Sequence, residues 1–214
     1  AASFQRREGA HETFWGSGLR MCPRMQIAQR MGLPPTNPTS QHAQFKMYVG
    51  RVLGAQIQRD LEAVGYLDPA WTEKRLTLGC YSGKPDGVTH RLNGAGSAIV
   101  EIKPADDRAV TKDDLPEHYQ WQLYWYMMAA AIPTGILFMI GKNQGLAKHR
   151  VVQLTPEWEQ AITKEMATMA GLWEVCQANH TLPGHAHRFG WEDKWCKMLD
   201  TEASAVREEL TEDA

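Results

Sequence analysis

Along the first third of the chain, apolar residues recur at helical intervals. In residues 17–32, "SGLRMCPRMQIAQRMG", the residues Leu19, Cys22, Met25, Ile27 and Met31 fall near one face, and Gly32 supplies a stop ahead of the loop "LPPTNPTS". A second helix is expected over 45–65, where Val49, Leu53, Ile57 and Leu61 repeat every four positions as one core-facing stripe and Gly65 ends the run. From residue 71 to 103 the period shortens. "TLGCYS", "GVTHRL" and "AIVEIK" read as three strands of a meander, separated by the turn formers "GKPDG" and "NGAGS". Residues 116–131 return to a helical pattern. "GILFMIG" reads as a short buried strand and "HRVVQL" as another, ahead of Thr155, an N-cap followed by Pro156 at the first helical position. A last helix carries Trp158, Ile162, Met166, Met169 and Trp173, and "HTLPGHAHRFGWEDKW" after Asn179 is loop-like. Central strands with helices around them predict an α/β fold built on a mixed central sheet.

Composition narrows the class. A chain of 214 residues with 43% hydrophobic content buries one sizeable core, so a single domain is expected over 1–199. Residues 200–214 form an acidic tail: Asp200, Glu202, Glu208, Glu209, Glu212 and Asp213 stand against Arg207 alone, a local −5. Taking that tail from the net −2 leaves the body at +3, which excludes a strongly basic coat but permits local contact with a phosphate backbone. No apolar run approaches the roughly 20 residues that span a bilayer. The first thirty residues, with Arg6, Arg7, Glu8 and Glu12, lack a secretory hydrophobic core. A soluble, cytoplasmic protein without membrane contact is therefore expected. Cys22, Cys80, Cys176 and Cys196 are scattered, which suits a reducing compartment better than a disulfide scaffold.

The chemistry concentrates between residues 82 and 103. In a strand, Glu101 and Lys103 share one face while Ile102 turns to the core behind them, and Asp86 in the preceding turn can reach the same side. Two carboxylates converging from neighbouring strands, with the Ile102 carbonyl as a further oxygen, suit Mg²⁺ or Mn²⁺, and a cation there polarises a phosphate and activates a water. Lys103 is placed to orient that water or to stabilise charge growing on phosphate oxygens. An ordinary polar hairpin in an edge strand would also place an acid and a lysine at alternate positions.

Together, "GKPDGV", "AIVEIKP" and "PEHYQWQLYWYMMAA" resemble the PD-(D/E)XK nuclease superfamily, in its RecB-like and phage exonuclease branch with a Gln-x-x-x-Tyr helix. The resemblance spans residues 17 to 175. It implies a restriction-endonuclease-like core, Asp86 and Glu101 as metal ligands together with Ile102, Lys103 as the catalytic lysine, and Gln122 with Tyr126 as the downstream motif. Four apart on a helix, Gln122 and Tyr126 share a face that can reach the strand ends or a DNA strand, although Gln120 and Tyr124 have the same spacing. Arg20, Arg24 and Arg30, with Lys142, Lys148, His149 and Arg150, are candidates for a DNA groove, Arg24 being the selected contact.

The sequence departs from the family pattern at one ligand. The family often carries a glutamate or histidine on the helix four residues after a glycine; after Gly50 that place is held by Gly54, leaving water or a side chain such as Gln58 to substitute. Some relatives hold an iron-sulfur cluster on one N-terminal and three C-terminal cysteines. Here Cys196 has no close companions, so buried structural cysteines are expected instead of a cluster. His180, His185 and His187, with Cys176 and Cys196 near them, do not match usual zinc-ligand spacing, and an exposed histidine loop is expected. The implied activity is metal-dependent exonucleolytic hydrolysis of DNA in recombination or repair, with DNA, a homo-oligomer or a recombination protein as partners. Endonuclease action, and a DNA-binding or assembly module with a weakened site, are the alternatives.

Overall fold

A computed structural model describes residues 12–72, 74–91, 96–192, 196 and 198, so the acidic tail expected over 200–214 lies outside the described residues. Pro23 has no amide hydrogen and is tolerated only in the first turn of a helix. The first helix therefore begins there, at Pro23–Met31 (α1), with Cys22 as its N-cap and Gly32 at φ +73° closing it. The short strand Phe14–Trp15 (β1) and a single 3-10 turn precede it, which corrects the longer helix read from the periodicity.

The second helix, Gln41–Ala63 (α2), starts at Ser40, whose hydroxyl accepts the amide of Ala43 at 3.3 Å. All four residues of the expected stripe are half-buried. Ile57 and Leu61 pack on a small core of Leu67, Ala98, Val100, Ile102 and Ile136, whereas Phe45, Met47, Tyr48 and Val52 in the N-terminal half are exposed.

The expected meander also divides. A turn at Gly79, in the left-handed region at φ +59°, breaks "TLGCYS" into Leu76–Leu78 (β2) and Tyr81–Gly83 (β3), which pair antiparallel. With β1 they form a separate sheet in the order β1-β3-β2. Gly87–Thr89 (β4) and Ala98–Ala105 (β5) belong to the larger sheet, completed by Thr134–Gly141 (β6) and Ala147–Gln153 (β7) in the order β4-β5-β6-β7. β5 and β6 run parallel, Glu101 opposite Leu137 and Lys103 opposite Met139, and antiparallel pairs flank them. The parallel pair needs a crossover. It is supplied by Asp107–Thr111 (α3) and Glu117–Ala130 (α4).

Alternation along β5 positions the site. Ala98, Val100 and Ile102 face the small core that includes Ile57 and Leu61 of α2. Ile99 faces the main core with Leu123, Trp125 and Met127 of α4. Glu101 and Lys103 share the face of Ile99, so they lie toward α4. The last helix, Pro156–Asn179 (α5), covers α4 with Ile162 and Met169 fully buried. Each such aliphatic or thioether side chain contributes about 1.5–3 kcal/mol by leaving water. Among the described residues no helix is long and apolar enough to cross a membrane.

Candidate active site

Asp86 ends the turn between β3 and β4, and its Oδ2 accepts the amide of Ile102 at 2.6 Å. A strand residue directs its N–H and C=O toward the same edge. The Ile102 carbonyl therefore faces the edge where Asp86 sits, beyond the Gly87 to Val100 pair that closes the β4 ladder. Gln58 of α2 holds this turn from the other side, donating from Nε2 to the Asp86 carbonyl at 2.8 Å. The helix position expected to carry a ligand, Gly54, faces Pro104 of β5: a Cβ there would lie 3.5 Å from Pro104 Cγ, an ordinary van der Waals contact.

Glu101 is not exposed in a cleft as a free hairpin acid would be; it is only 2% accessible. Its Oε1 accepts Lys103 Nζ at 2.5 Å and Gln122 Nε2 at 2.8 Å. Its Oε2 is buried with no hydrogen-bond partner among the described residues. Burial pushes the Glu101 carboxyl up to about 8 against the pull of Lys103, and the charge of Asp86 adds to the rise. An orphaned carboxylate oxygen, a second carboxylate and a backbone carbonyl form the hard-oxygen donor set of a small divalent cation. The residues present thus fit Mg²⁺ or Mn²⁺.

On α4, the two candidate Gln-x-x-x-Tyr pairs lie in different surroundings. Gln122 reaches Glu101 and also donates to the Tyr126 hydroxyl at 3.3 Å, both residues being buried. Gln120 instead donates to the Leu115 carbonyl at 2.8 Å, and Tyr124 stacks on Trp158 with ring centroids 4.3 Å apart. Tyr119, which the sequence reading passed over, presents its ring 5.3 Å from Lys103 Nζ. His118 beside it lies 4.1 Å, ring to ring, from Tyr119 and 5.8 Å from both Phe189 and Trp191. The sequence signal for these two was only their place in the first turn of the motif helix.

The basic residues are placed differently from expectation. Arg24, the selected DNA contact, is 8% accessible and donates to the Pro183 carbonyl at 3.1 Å, because α1 is covered by the C-terminal segment. Arg30 lies between the rings of Phe14 and Trp173, 4.6 and 4.1 Å from their centroids. Arg20 pairs with Glu117, and Lys148 and Arg150 with Asp113, on the segment leading into α4. Lys142 donates to the Lys46 carbonyl at 3.4 Å, and His149 is exposed. His180 is exposed and Cys176 is buried in α5, but His185 and His187 are half-buried and gather with Cys22 and Cys196. The expected exposed loop is corrected there.

Neither a protein-family model nor a curated protein matches the chain. Solved structures do. The alkaline exonuclease LHK-Exo from Laribacter hongkongensis superposes with a TM-score of 0.58 at 14% identity, over 79% of this chain and 91% of that one. Its complex with dAMP gives 0.55 at 14% identity over 74% and 80%, and SSO0001 gives 0.55 at 17% identity over 89% and 85%. With its mixed sheet flanked by helices, the chain has the fold of the PD-(D/E)XK-type nucleases.

Proposed function

We propose that this chain hydrolyses DNA phosphodiester bonds with a bound Mg²⁺ or Mn²⁺, acting from DNA ends as an exonuclease in recombination or repair. The observation that carries the reading is the buried Glu101 carboxylate, with one oxygen held by Lys103 and Gln122 and the other orphaned beside Asp86 and Ile102. Asp86, Glu101 and the Ile102 carbonyl are the ligands in this reading. A cation there supplies Lewis acidity toward a phosphate oxygen and lowers the pKa of a bound water.

The chain's own groups do the remaining work. The Ile102 amide fixes one oxygen of Asp86, and Gln58 fixes its backbone. Gln122 sets the rotamer of Glu101, and the Tyr126 hydroxyl steadies Gln122. Lys103 is half-buried and carries its charge against Glu101, placed to hold the attacking water or a non-bridging phosphate oxygen. Similarity to LHK-Exo, an alkaline exonuclease with a dAMP-bound structure, supports DNA as the substrate class.

A second reading, a DNA-binding or assembly module with weakened catalysis, is favoured by Gly54, which offers no side chain at the helix position where a ligand is expected. One assay separates the two. End-labelled linear duplex and covalently closed circular DNA are incubated with Mg²⁺, Mn²⁺ or chelator. Loss of the linear form alone, only with cation, supports the exonuclease. Cutting of both forms points to an endonuclease, and binding without cleavage to the second reading.

A further inference from the structure

A second cluster of donors lies outside the site described above. Cys22, His185, His187 and Cys196 each offer one ligand atom, and the four atoms all lie within 4.8 Å of one another. His185 Nδ1 is 3.5 Å from Cys22 Sγ and 3.8 Å from Cys196 Sγ, and the rings of His185 and His187 are 4.9 Å apart. We propose that these four side chains bind one Zn²⁺ in a closed tetrahedral Cys2His2 site that clamps the C-terminal segment onto the start of α1.

The surroundings are built for it. Glu192 is completely buried, and its Oε1 accepts the Cys22 amide at 2.6 Å while Oε2 accepts the amides of Arg188 and Phe189 at 2.7 and 2.9 Å. The Glu192 carbonyl accepts the Cys196 amide at 2.8 Å. One buried carboxylate thus fixes the backbone of the N-terminal ligand and of the strap that carries the others. Arg24 donates to the Pro183 carbonyl and Asn37 Nδ2 to the Cys196 carbonyl at 3.0 Å, fastening the same strap at both ends. Outer hydrogen bonds of this kind orient metal ligands.

The donor chemistry selects the ion. Two thiolates and two imidazoles are soft and borderline ligands that Mg²⁺ and Mn²⁺ take poorly and Zn²⁺ takes well. Two thiolates also cancel the charge of one divalent cation, which suits a half-buried site. Tetrahedral zinc with bonds of about 2.0–2.3 Å requires ligand separations of about 3.3–3.8 Å. The two sulfur to His185 distances meet this already, and rotation of side chains through about 1 Å closes the rest. Protein ligands of an iron-sulfur cluster bind different irons and stand farther apart. With four protein donors and no open position, the site is structural.

The strap also carries Phe189 and Trp191, which stack on each other at 5.9 Å and flank His118, next to Tyr119 at the active site. Zinc would therefore brace the wall behind Lys103. The inference rests on the cluster alone and stands whether or not the chain cleaves DNA.

The test is metal and acid-labile sulfide analysis of the full chain purified without added zinc, with Co²⁺ titration of protein stripped by chelator. The expected result is about one zinc per chain, with thiolate-to-cobalt charge-transfer and tetrahedral d–d bands on titration. Cys196→Ser and His187→Asn should each lower bound zinc at least ~10-fold, while Glu101→Gln retains it. A folded chain with neither zinc nor a thiolate-cobalt band overturns the proposal, as does iron with matching sulfide. Should the ligand variants fail to fold, the metal content and cobalt spectrum of the native sequence decide by themselves.

Discussion

Replacing Glu101 with glutamine changes the proposed site by one charge and almost no volume. In the native protein Oε1 takes hydrogen bonds from Lys103 and Gln122, and Oε2 is buried without a partner. Burial pushes this carboxyl up to about 8 against the pull of Lys103, so its charge is held at a cost. Glutamine keeps the shape without the charge: its carbonyl can accept both existing bonds, and its amide group occupies the place of Oε2. The amide hydrogens lack acceptors there, at a cost of about 1–3 kcal/mol. Against this, the variant never has to bury a charge. Stability should therefore stay within ~2 kcal/mol of the wild type. Cleavage should not survive so well. Loss of one of two carboxylate ligands removes about 3–4 kcal/mol of cation binding and transition-state stabilisation, or roughly 10²–10³ in rate. Urea unfolding and hydrolysis of end-labelled duplex DNA with Mg²⁺ or Mn²⁺, on the same preparations, give both numbers. Cleavage within tenfold of wild type in folded Glu101→Gln would refute the ligand role, and a loss of stability above ~4 kcal/mol would mark Glu101 as structural.

Three further outcomes follow from the same geometry. Gln122→Leu removes the amide that orients Glu101, so cleavage should fall about 10–100-fold with a higher Mn²⁺ concentration for half-maximal rate; an unchanged cation dependence counts against the role. Gly135→Ala places a Cβ 2.6 Å from Met127 Sδ and 3.0 Å from Leu123 Cγ where β6 meets α4; these flexible side chains yield, and urea unfolding should show a loss of about 1–3 kcal/mol. Burial, helped by the charge of Lys103, lowers the His118 imidazole from 6.5 to about 4. Between those values the unfolded chain binds the proton and the folded chain does not, so stability is intact above pH 6.5 and falls as pH drops toward 4, by about 1–3 kcal/mol after allowing for partial exposure. His118→Phe should flatten that slope in denaturant titrations from pH 7 to 4, and parallel slopes would refute it.

Much of the geometry of the candidate site was legible in the sequence because its determinants are local. Period-two alternation puts Glu101 and Lys103 on one side of β5, four-residue spacing puts Gln122 and Tyr126 on one side of α4, and a Pro-Asp-Gly turn delivers Asp86 nearby. None of these depends on the rest of the chain. Burial could not be read in the same way. Whether Glu101 is exposed or sealed, whether the stripe of α2 is covered along its whole length, and whether Arg24 meets DNA or the Pro183 carbonyl depend on which segment packs above each one. The division of the meander into two sheets likewise turns on how β1 pairs with β3, a contact between residues 14 and 81. The cluster of Cys22, His185, His187 and Cys196 is the extreme case: its first two members are 163 positions apart. Sequence determines what stands on one face of one element, through fixed backbone periods. Only the tertiary structure decides which faces meet, because that choice is made by packing between segments that no local spacing connects.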